Sequence, residues 1–446
     1  MVESALDGLA AGGAEVVGAL LVGGREKLPA EGVDAYGSVR VIWGEDPLRT
    51  LDRFLAENVV DAVVDLSDEP ILDYRKRHAL AAVALAHEVV YQGADFRFSP
   101  PSRPRLSLKP SIAIIGTGKR TGKTAVTGFA ARTLTDSGRR PVIVAMGRGG
   151  PPEPEVLRGD QIELAPTDLL DMADSGKHAA SDYVEDALLG RVPTVGCRRC
   201  GGGLAGGVEI SNVGAGVELA NELDGDILLL EGSGSAIPPC RGDVNLLVVP
   251  ASIPEEYLRG YMGPYRLLLA DFVVVTMCEE PFGSHSQVSR TTSLIRDSFR
   301  SNGKTAQAKP EAQGIEVVRT VFRPTPTRSV DGAEVMVATT APRAAGESIK
   351  RHLEEEHGCR VVGISHSLSD RGKLKEELGE SGSGADVLLC EIKAAGIDVA
   401  TRQALAAGMK VVYMDNVPLS IDGDDLTAVL DRAATLAEER HREETS

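Results

Sequence analysis

"IAIIGTGKRTGKTAVTGFAA", residues Ile112–Ala131, decides the fold. It opens on apolar, β-branched residues, passes through a Gly/Lys/Thr-rich turn and ends in helix formers. A strand that stops at such a turn and restarts as a helix leaves the first backbone N–H groups of the helix unpaired and converging on one spot. Phosphate oxygens satisfy them. In the usual pattern, G-x-x-x-x-G-K-[ST], the Lys reaches the β- and γ-phosphates and the hydroxyl binds Mg²⁺. Gly122, Lys123 and Thr124 supply the tail, but Thr117 occupies the position of the first glycine and Gly116 lies one residue earlier. The spacing is therefore G-x₅-G-K-T, with Gly118 sharing the turn. The expected nucleotide contacts are Gly116, Gly118, Lys119, Thr121, Gly122, Lys123 and Thr124. Without a ligand, Lys119, Arg120 and Lys123 would repel one another. Lys119 either faces a phosphate or is solvated.

Working outward, short apolar runs alternate with amphipathic helical stretches, the pattern of parallel α/β sheets. "AEVVGALLVGG", "VRVIWG" and "VDAVVDLS" predict strands of a first block, closed by the proline-rich joint "RFSPPSRPRLSLKP". The second block holds "SIAIIG", "PVIVAMG", "DILLLEG", "VNLLVVP" and "DFVVVTM", interrupted by an excursion from Arg148 to about Gly225. After "RPTPTRSVDG" comes a third block with "AEVMVATT", "CRVVGIS", "ADVLLCEI" and "MKVVYMD". The expected architecture is a P-loop NTPase-type parallel sheet domain (107–328) between an N-terminal (1–106) and a C-terminal (329–446) Rossmann-like α/β domain.

Ligands of open parallel sheets lie beyond the carboxyl ends of the strands. Arg148, in the glycine loop after "PVIVAMG", suits a phosphate or carboxylate. Glu231, ending "DILLLE", suits a Mg²⁺ ion held with Thr124. In "GCRRCGGGLAGG", Cys197 and Cys200 have metal-like spacing but no second pair. Arg198 and Arg199 followed by glycines read better as an anion site. Weaker candidates are His285, Arg290, Lys393, Arg402, Asp415 and Asn416. There is no Ser/His/Asp series and no H-E-x-x-H. A substrate phosphate or carboxylate is already ionised near neutral pH, so positioning and charge neutralisation suffice.

The 446 residues exceed one core, and 42% hydrophobic with 25% charged residues is an ordinary globular balance. A net charge of −17 argues against nucleic-acid or acidic-membrane partners. With no basic leader, no apolar run of roughly 18 residues and six scattered cysteines, a cytoplasmic protein with reduced thiols is expected.

"GTGKRTGKT", "AMGRGGPPEPE", "GCRRCGGGLAGG" and "LLLEGSGSAIPP", in this order, resemble the cyclic 2,3-diphosphoglycerate synthetase family, and the similarity extends to "EIKAAGIDVATR" and "VVYMDN". The first and fourth motifs also occur in dethiobiotin synthetase and cobyrinic acid amidating enzymes. The resemblance implies an ATP- and Mg²⁺-dependent ligase that closes 2,3-diphosphoglycerate to its cyclic pyrophosphate and releases ADP and phosphate. A homodimer and a potassium requirement would fit it. It gives Lys123, Arg148, Arg198, Arg199 and Glu231 catalytic roles, with Thr124 and Glu231 on the metal. The alternatives left open are a carboxylate-activating ligase and an ATP-dependent switch.

Overall fold

The structure, a computed structural model, describes residues 2–23, 39–163, 165–177, 181–301, 315–381, 384–393 and 395–446. It is α/β throughout, as the alternating pattern predicts. The chain forms two compact units, one of Met1–Pro101, Ile253–Leu269 and Ser293–Ile315, the other of Ser102–Ser252, Ala270–Thr292 and Glu316–Ser446.

In the first unit β1 (Ala19–Leu20) pairs in parallel with β2 (Val41–Ile42). A separate small sheet joins β3 (Ala62–Val64), β4 (Val90–Gln92) and β5 (Arg97–Phe98), parallel and then antiparallel. Helix Tyr74–Ala86 starts where the Asp73 carboxylate accepts from the Lys76 N–H, which satisfies one of the open donors of its first turn. Its residues from Leu80 to Leu85 are all buried. Where a Rossmann-like α/β domain is expected for the N-terminal block, its described residues make two small sheets.

The second unit is built on one thirteen-stranded sheet. Its strands are β6 (Ser111–Gly116), β7 (Pro141–Gly147), β8 (Glu155–Arg158), β9 (Pro193–Cys200), β10 (Ile210–Ser211), β11 (Ile227–Glu231), β12 (Val244–Pro250), β13 (Phe272–Thr276), β14 (Glu316–Pro326), β15 (Glu334–Ala338), β16 (Arg360–Ser365), β17 (Val387–Glu391) and β18 (Lys410–Ser420). The order is β10-β9-β7-β11-β6-β12-β13-β14-β18-β17-β15-β16, with β8 beside β9. Every residue of β6, β7 and β11 is buried, and each fully buried Val, Leu or Ile there contributes roughly 1.5–3 kcal/mol. The P-loop and C-terminal blocks thus share a sheet across the boundary expected at 328/329.

The register of β14 and β18 sets the geometry of the site. Residues 316–319 of β14 run parallel to β13, and the strand then continues past the carboxyl end of β13. Along residues 320–326 it pairs antiparallel with β18, Thr320 opposite Ser420 and Pro326 opposite Met414. Met414 is also the partner of Glu391 at the end of β17. β15 to β18, parallel among themselves, therefore point back at the first set, and the carboxyl ends of both sets face one crevice. The prolines at 324 and 326 lie inside β14. The ladder tolerates them because that stretch pairs on one side only, so no amide hydrogen is required on the other.

The excursion is not a loop in its middle. β9 joins the sheet beside β7 and carries "GCRRC" as strand, and helices Pro166–Asp174, Asp182–Gly190 and Val213–Glu222 flank it. Residues 102–110 form no regular element, as the prolines predict, but are pinned by Arg105, whose Nη2 donates to Asp243 at 2.9 Å. No described helix is long and apolar enough to cross a membrane.

Candidate functional site

The turn between β6 and helix Lys123–Asp136 has the expected strand–turn–helix context. Gly122 caps the helix in the left-handed region, φ 91°, where a side chain is strained. A Cβ on it would also meet the Phe322 ring at 2.3 Å. At Gly116 a Cβ would stand 2.9 Å from Lys123 Cδ and 3.0 Å from its Nζ. That glycine makes room for the lysine. Gly118 has open space around its Cα and contributes its carbonyl. Lys123 Nζ donates to Gly118 O and to Gly234 O, each at 2.9 Å. Thr121 is buried, and its carbonyl accepts from Thr276 Oγ1 at 2.8 Å, which ties the turn to the end of β13.

Behind the turn lies a group of carboxyls. Thr124 Oγ1 donates to Glu231 Oε1 at 2.8 Å. Glu231 Oε2 and both oxygens of Asp186 are buried with no hydrogen-bond donor, and the two carboxyls interact directly. Burial first, then the charge of Asp182, pushes Glu231 up to about 7. Burial, then Glu231, holds Asp186 well above the usual carboxylate range. Glu185 is pushed up to about 8 because burial outweighs the Lys393 ammonium, 3.1 Å away. Asp182, raised by burial as well, opens onto the crevice. Sequence reasoning missed these residues, although Asp182, Glu185 and Asp186 sit at i, i+3 and i+4 and so share one helix face.

Among the described residues no three His, Cys, Asp or Glu side chains form a preformed metal cage. Mg²⁺ does not need one, since it is usually held by one or two protein oxygens together with phosphates and waters. The unpartnered oxygens of Glu231 and Asp186 beside the Thr124 hydroxyl are hard-oxygen donors of the kind it takes.

The crevice is a cavity of about 1020 Å³ that reaches from the turn to the C-terminal strands. Its lining carries seven Lys and Arg side chains against four Asp and Glu, in a chain of net charge −17. Lys119, Lys123, Thr124, Arg148 and Glu231 all line it. Besides Glu231, which accepts from Thr124, two of the four acids are already engaged. Arg323 forks onto Glu279, with Nη2 2.8 Å from Oε2. Glu391 accepts from the hydroxyls of Thr339 and Thr340, each at 2.7 Å, from the Thr340 N–H at 3.1 Å and from Asn416 Nδ2 at 3.2 Å.

The paired arginines separate because strand residues alternate faces. Arg199 is 4% exposed. It donates through Nη2 to Ser233 O and through Nη1 to Gly201 O, both at 2.8 Å. Burial and then the nearby Arg148 pull it below the usual guanidinium range. Arg198 is exposed on the other face, its Nε donates to Gly150 O at 2.8 Å, and it does not line the cavity. Cys197 points inward, pushed up to about 12 by burial. Its Sγ lies 2.2 Å from where a Cβ on Gly216 would stand, so it packs against helix Val213–Glu222. Cys200 is exposed.

Of the weaker candidates, Lys393 and Asn416 line the cavity. Asp415 pairs with Arg132 at 2.8 Å, Arg402 with Asp174 at 2.6 Å, and His285 and Arg290 are exposed on helix His285–Ser301. Thr340, Arg343, His366 and Lys373, cavity residues that follow β15 and β16, belong to no motif and carry no signal in the sequence.

Three family models match the chain: cyclic 2,3-diphosphoglycerate synthetase N-terminal domain over residues 1–99, its P-loop domain over 111–304 and its C-terminal domain over 326–417. A relative from Methanothermobacter thermautotrophicus, named cyclic 2,3-diphosphoglycerate synthetase, is 44% identical over 94% of this chain and 90% of its own. Relatives of the same name from Methanothermus fervidus (44%, covering 92% and 87%) and Rubrobacter xylanophilus (47%, covering 95% and 92%) match comparably.

Proposed function

The chain belongs to the cyclic 2,3-diphosphoglycerate synthetase family, and on that premise we propose that it closes 2,3-diphosphoglycerate to the cyclic pyrophosphate at the expense of ATP. The observation that carries the reading is the meeting of Lys123, Thr124 and Glu231 with a net-positive cavity roomy enough for two polyanions.

The turn's amides and Lys123 bind the ATP phosphates. Thr124 and Glu231 are the residues that would hold Mg²⁺, which when bound neutralises charge on the phosphate oxygens. In the first step an oxygen of one substrate phosphate attacks the γ-phosphorus of ATP. The bond to the β-phosphate oxygen breaks and ADP leaves with its electron pair. In the second, an oxygen of the neighbouring substrate phosphate attacks the inner phosphorus of the new diphosphate and expels inorganic phosphate, which closes the ring. Both nucleophiles are ionised phosphates, so no side chain has to remove a proton. The protein's work is to hold the anions together with fixed positive charge. Arg148 contributes that charge from the excursion. Arg199, bonded to Ser233, keeps the turn after β11 in place. A dicarboxylate substrate would not call for so basic a lining, which sets the carboxylate-activating alternative aside.

Phosphorus NMR after incubation with ATP, Mg²⁺ and 2,3-diphosphoglycerate tests the reading. Cyclic pyrophosphate, ADP and phosphate should appear together. ATP consumption that is independent of 2,3-diphosphoglycerate, with no cyclic signal, would refute it.

A further inference from the structure

The P-loop wall accounts for one polyanion. The opposite wall is built from the carboxyl ends of β15, β16 and β17 and the loops that follow them, and it too is basic. Arg343 comes from the loop after β15, Lys373 from the first turn of helix Arg371–Ser381, and Lys393 from just beyond β17. That helix has no acidic residue in its first turn. Asp370, just before the helix, accepts from the Lys373 N–H at 3.2 Å, and Lys373 itself lines the cavity. Lys373 shares the charge of Glu377, four residues on, with Arg343. Arg343 holds only an exposed pair with Glu377, at 3.0 Å with its own side chain 70% exposed, and such pairs are weak. Lys393 is fixed by Glu185 yet its side chain stays a third open to the cavity.

The wall is also braced. Glu391 fastens Thr340 by its N–H and its hydroxyl, and His366 Nδ1 lies 2.9 Å from Ala341 O, linking the loops after β15 and β16. Neither arginine of "GCRRC" supplies such a surface, because Arg198 faces away and Arg199, bonded through both terminal nitrogens to backbone carbonyls, does not line the cavity.

We propose that Arg343, Lys373 and Lys393 form the subsite for the two phosphates of the bisphosphorylated acid, facing the nucleotide across the cavity. The assignment rests on the synthetase reading, and its tests separate its own failure from that of the reading.

The Arg343→Gln/Lys373→Gln double variant, both positions exposed, should raise the KM for 2,3-diphosphoglycerate by roughly ten- to hundredfold for each cation removed from a phosphate. The dissociation constant for ATP should stay within about twofold. The charge-preserving Arg343→Lys/Lys373→Arg variant should recover most of the loss. Arg360→Gln, which removes an exposed pair with Glu334 elsewhere in the same block, should change neither constant. An unchanged KM for 2,3-diphosphoglycerate, or an equal loss for both ligands, overturns the proposal. A second measurement needs no variant. 2,3-diphosphoglycerate should protect Lys373 of the wild-type protein from acetic anhydride, read by peptide mass spectrometry, and ATP with Mg²⁺ should not. Protection without any cyclic product would refute the reaction and support the anion site. Product formation without protection would overturn the site and leave the reaction standing.

Discussion

Asp186→Asn should change how stability depends on pH. Asp186 is fully buried, neither of its oxygens has a donor, and burial followed by Glu231 holds its carboxyl well above the usual range. A carboxyl raised in this way keeps its proton in the folded chain while its unfolded counterpart ionises near 3.9. The folded state then binds the extra proton, so stability is highest below the unfolded value and falls as pH climbs toward the folded one. In that window one such group contributes a slope of up to about 1.4 kcal/mol per pH unit. Asn has no proton to lose, and the variant lacks that slope. As pH rises above the unfolded value its advantage over the parent should grow, by at most about 1.4 kcal/mol for each pH unit. For a folding unit of about 300 residues that limit is roughly 2 °C in Tm for each pH unit. Glu185, pushed up to about 8, adds the same slope to both proteins and cancels, whereas Glu231 touches Asp186, so the difference reads the carboxyl pair. Calorimetric melts in chelator-treated buffer at several pH values give the difference directly. If the two Tm curves stay parallel across this range, Asp186 is not protonated in the folded chain and the account of the buried carboxyls is mistaken.

Lys123→Ala should abolish turnover and weaken ATP binding by about 1.5–3 kcal/mol for each charge-assisted hydrogen bond removed, as titration calorimetry would register. Gly122→Ala combines a left-handed backbone, about 1–2 kcal/mol, with a Cβ pressed onto the Phe322 ring, about 1–3 kcal/mol. Its urea midpoint should drop correspondingly, and Phe322→Leu should restore part of the loss. Arg199→Gln should destabilise the fold by about 1–3 kcal/mol, because Ser233 O loses its donor in a buried place. Arg198→Gln, on an exposed face, should stay within about 0.5 kcal/mol; equal losses in parallel denaturant melts would contradict the face assignment.

The nucleotide turn was legible because its signals are local: β-branched residues, then glycines, then Lys123 and Thr124. The buried strands around it were legible for the same reason, since an unbroken apolar run has few other uses. β9 was not, because its last residues merge into a glycine-rich run and only the inward turn of Cys197 and Arg199 against the outward turn of Arg198 and Cys200 betrays a strand. The carboxyl group behind the turn was legible in principle from the helical spacing of Asp182, Glu185 and Asp186. Its meeting with Glu231 was not, since that contact joins two segments far apart in the chain. The C-terminal wall was hidden by topology. Nothing local in "VVRTVFRPTP" says that β14 will overshoot β13 and turn the last four strands of the sheet back toward the first set.

That overshoot has a chemical corollary. The β14–β18 ladder spans the gap like a ruler, so the separation of the two basic walls is written into backbone pairing. A two-headed molecule, an adenosine polyphosphate tethered to a bisphosphorylated acid by a linker of matching length, would engage its second end at high effective concentration and bind far more tightly than either half alone. Tethers too short to bridge would show only the affinity of the nucleotide end, and the tether length at which binding tightens would measure the span from outside.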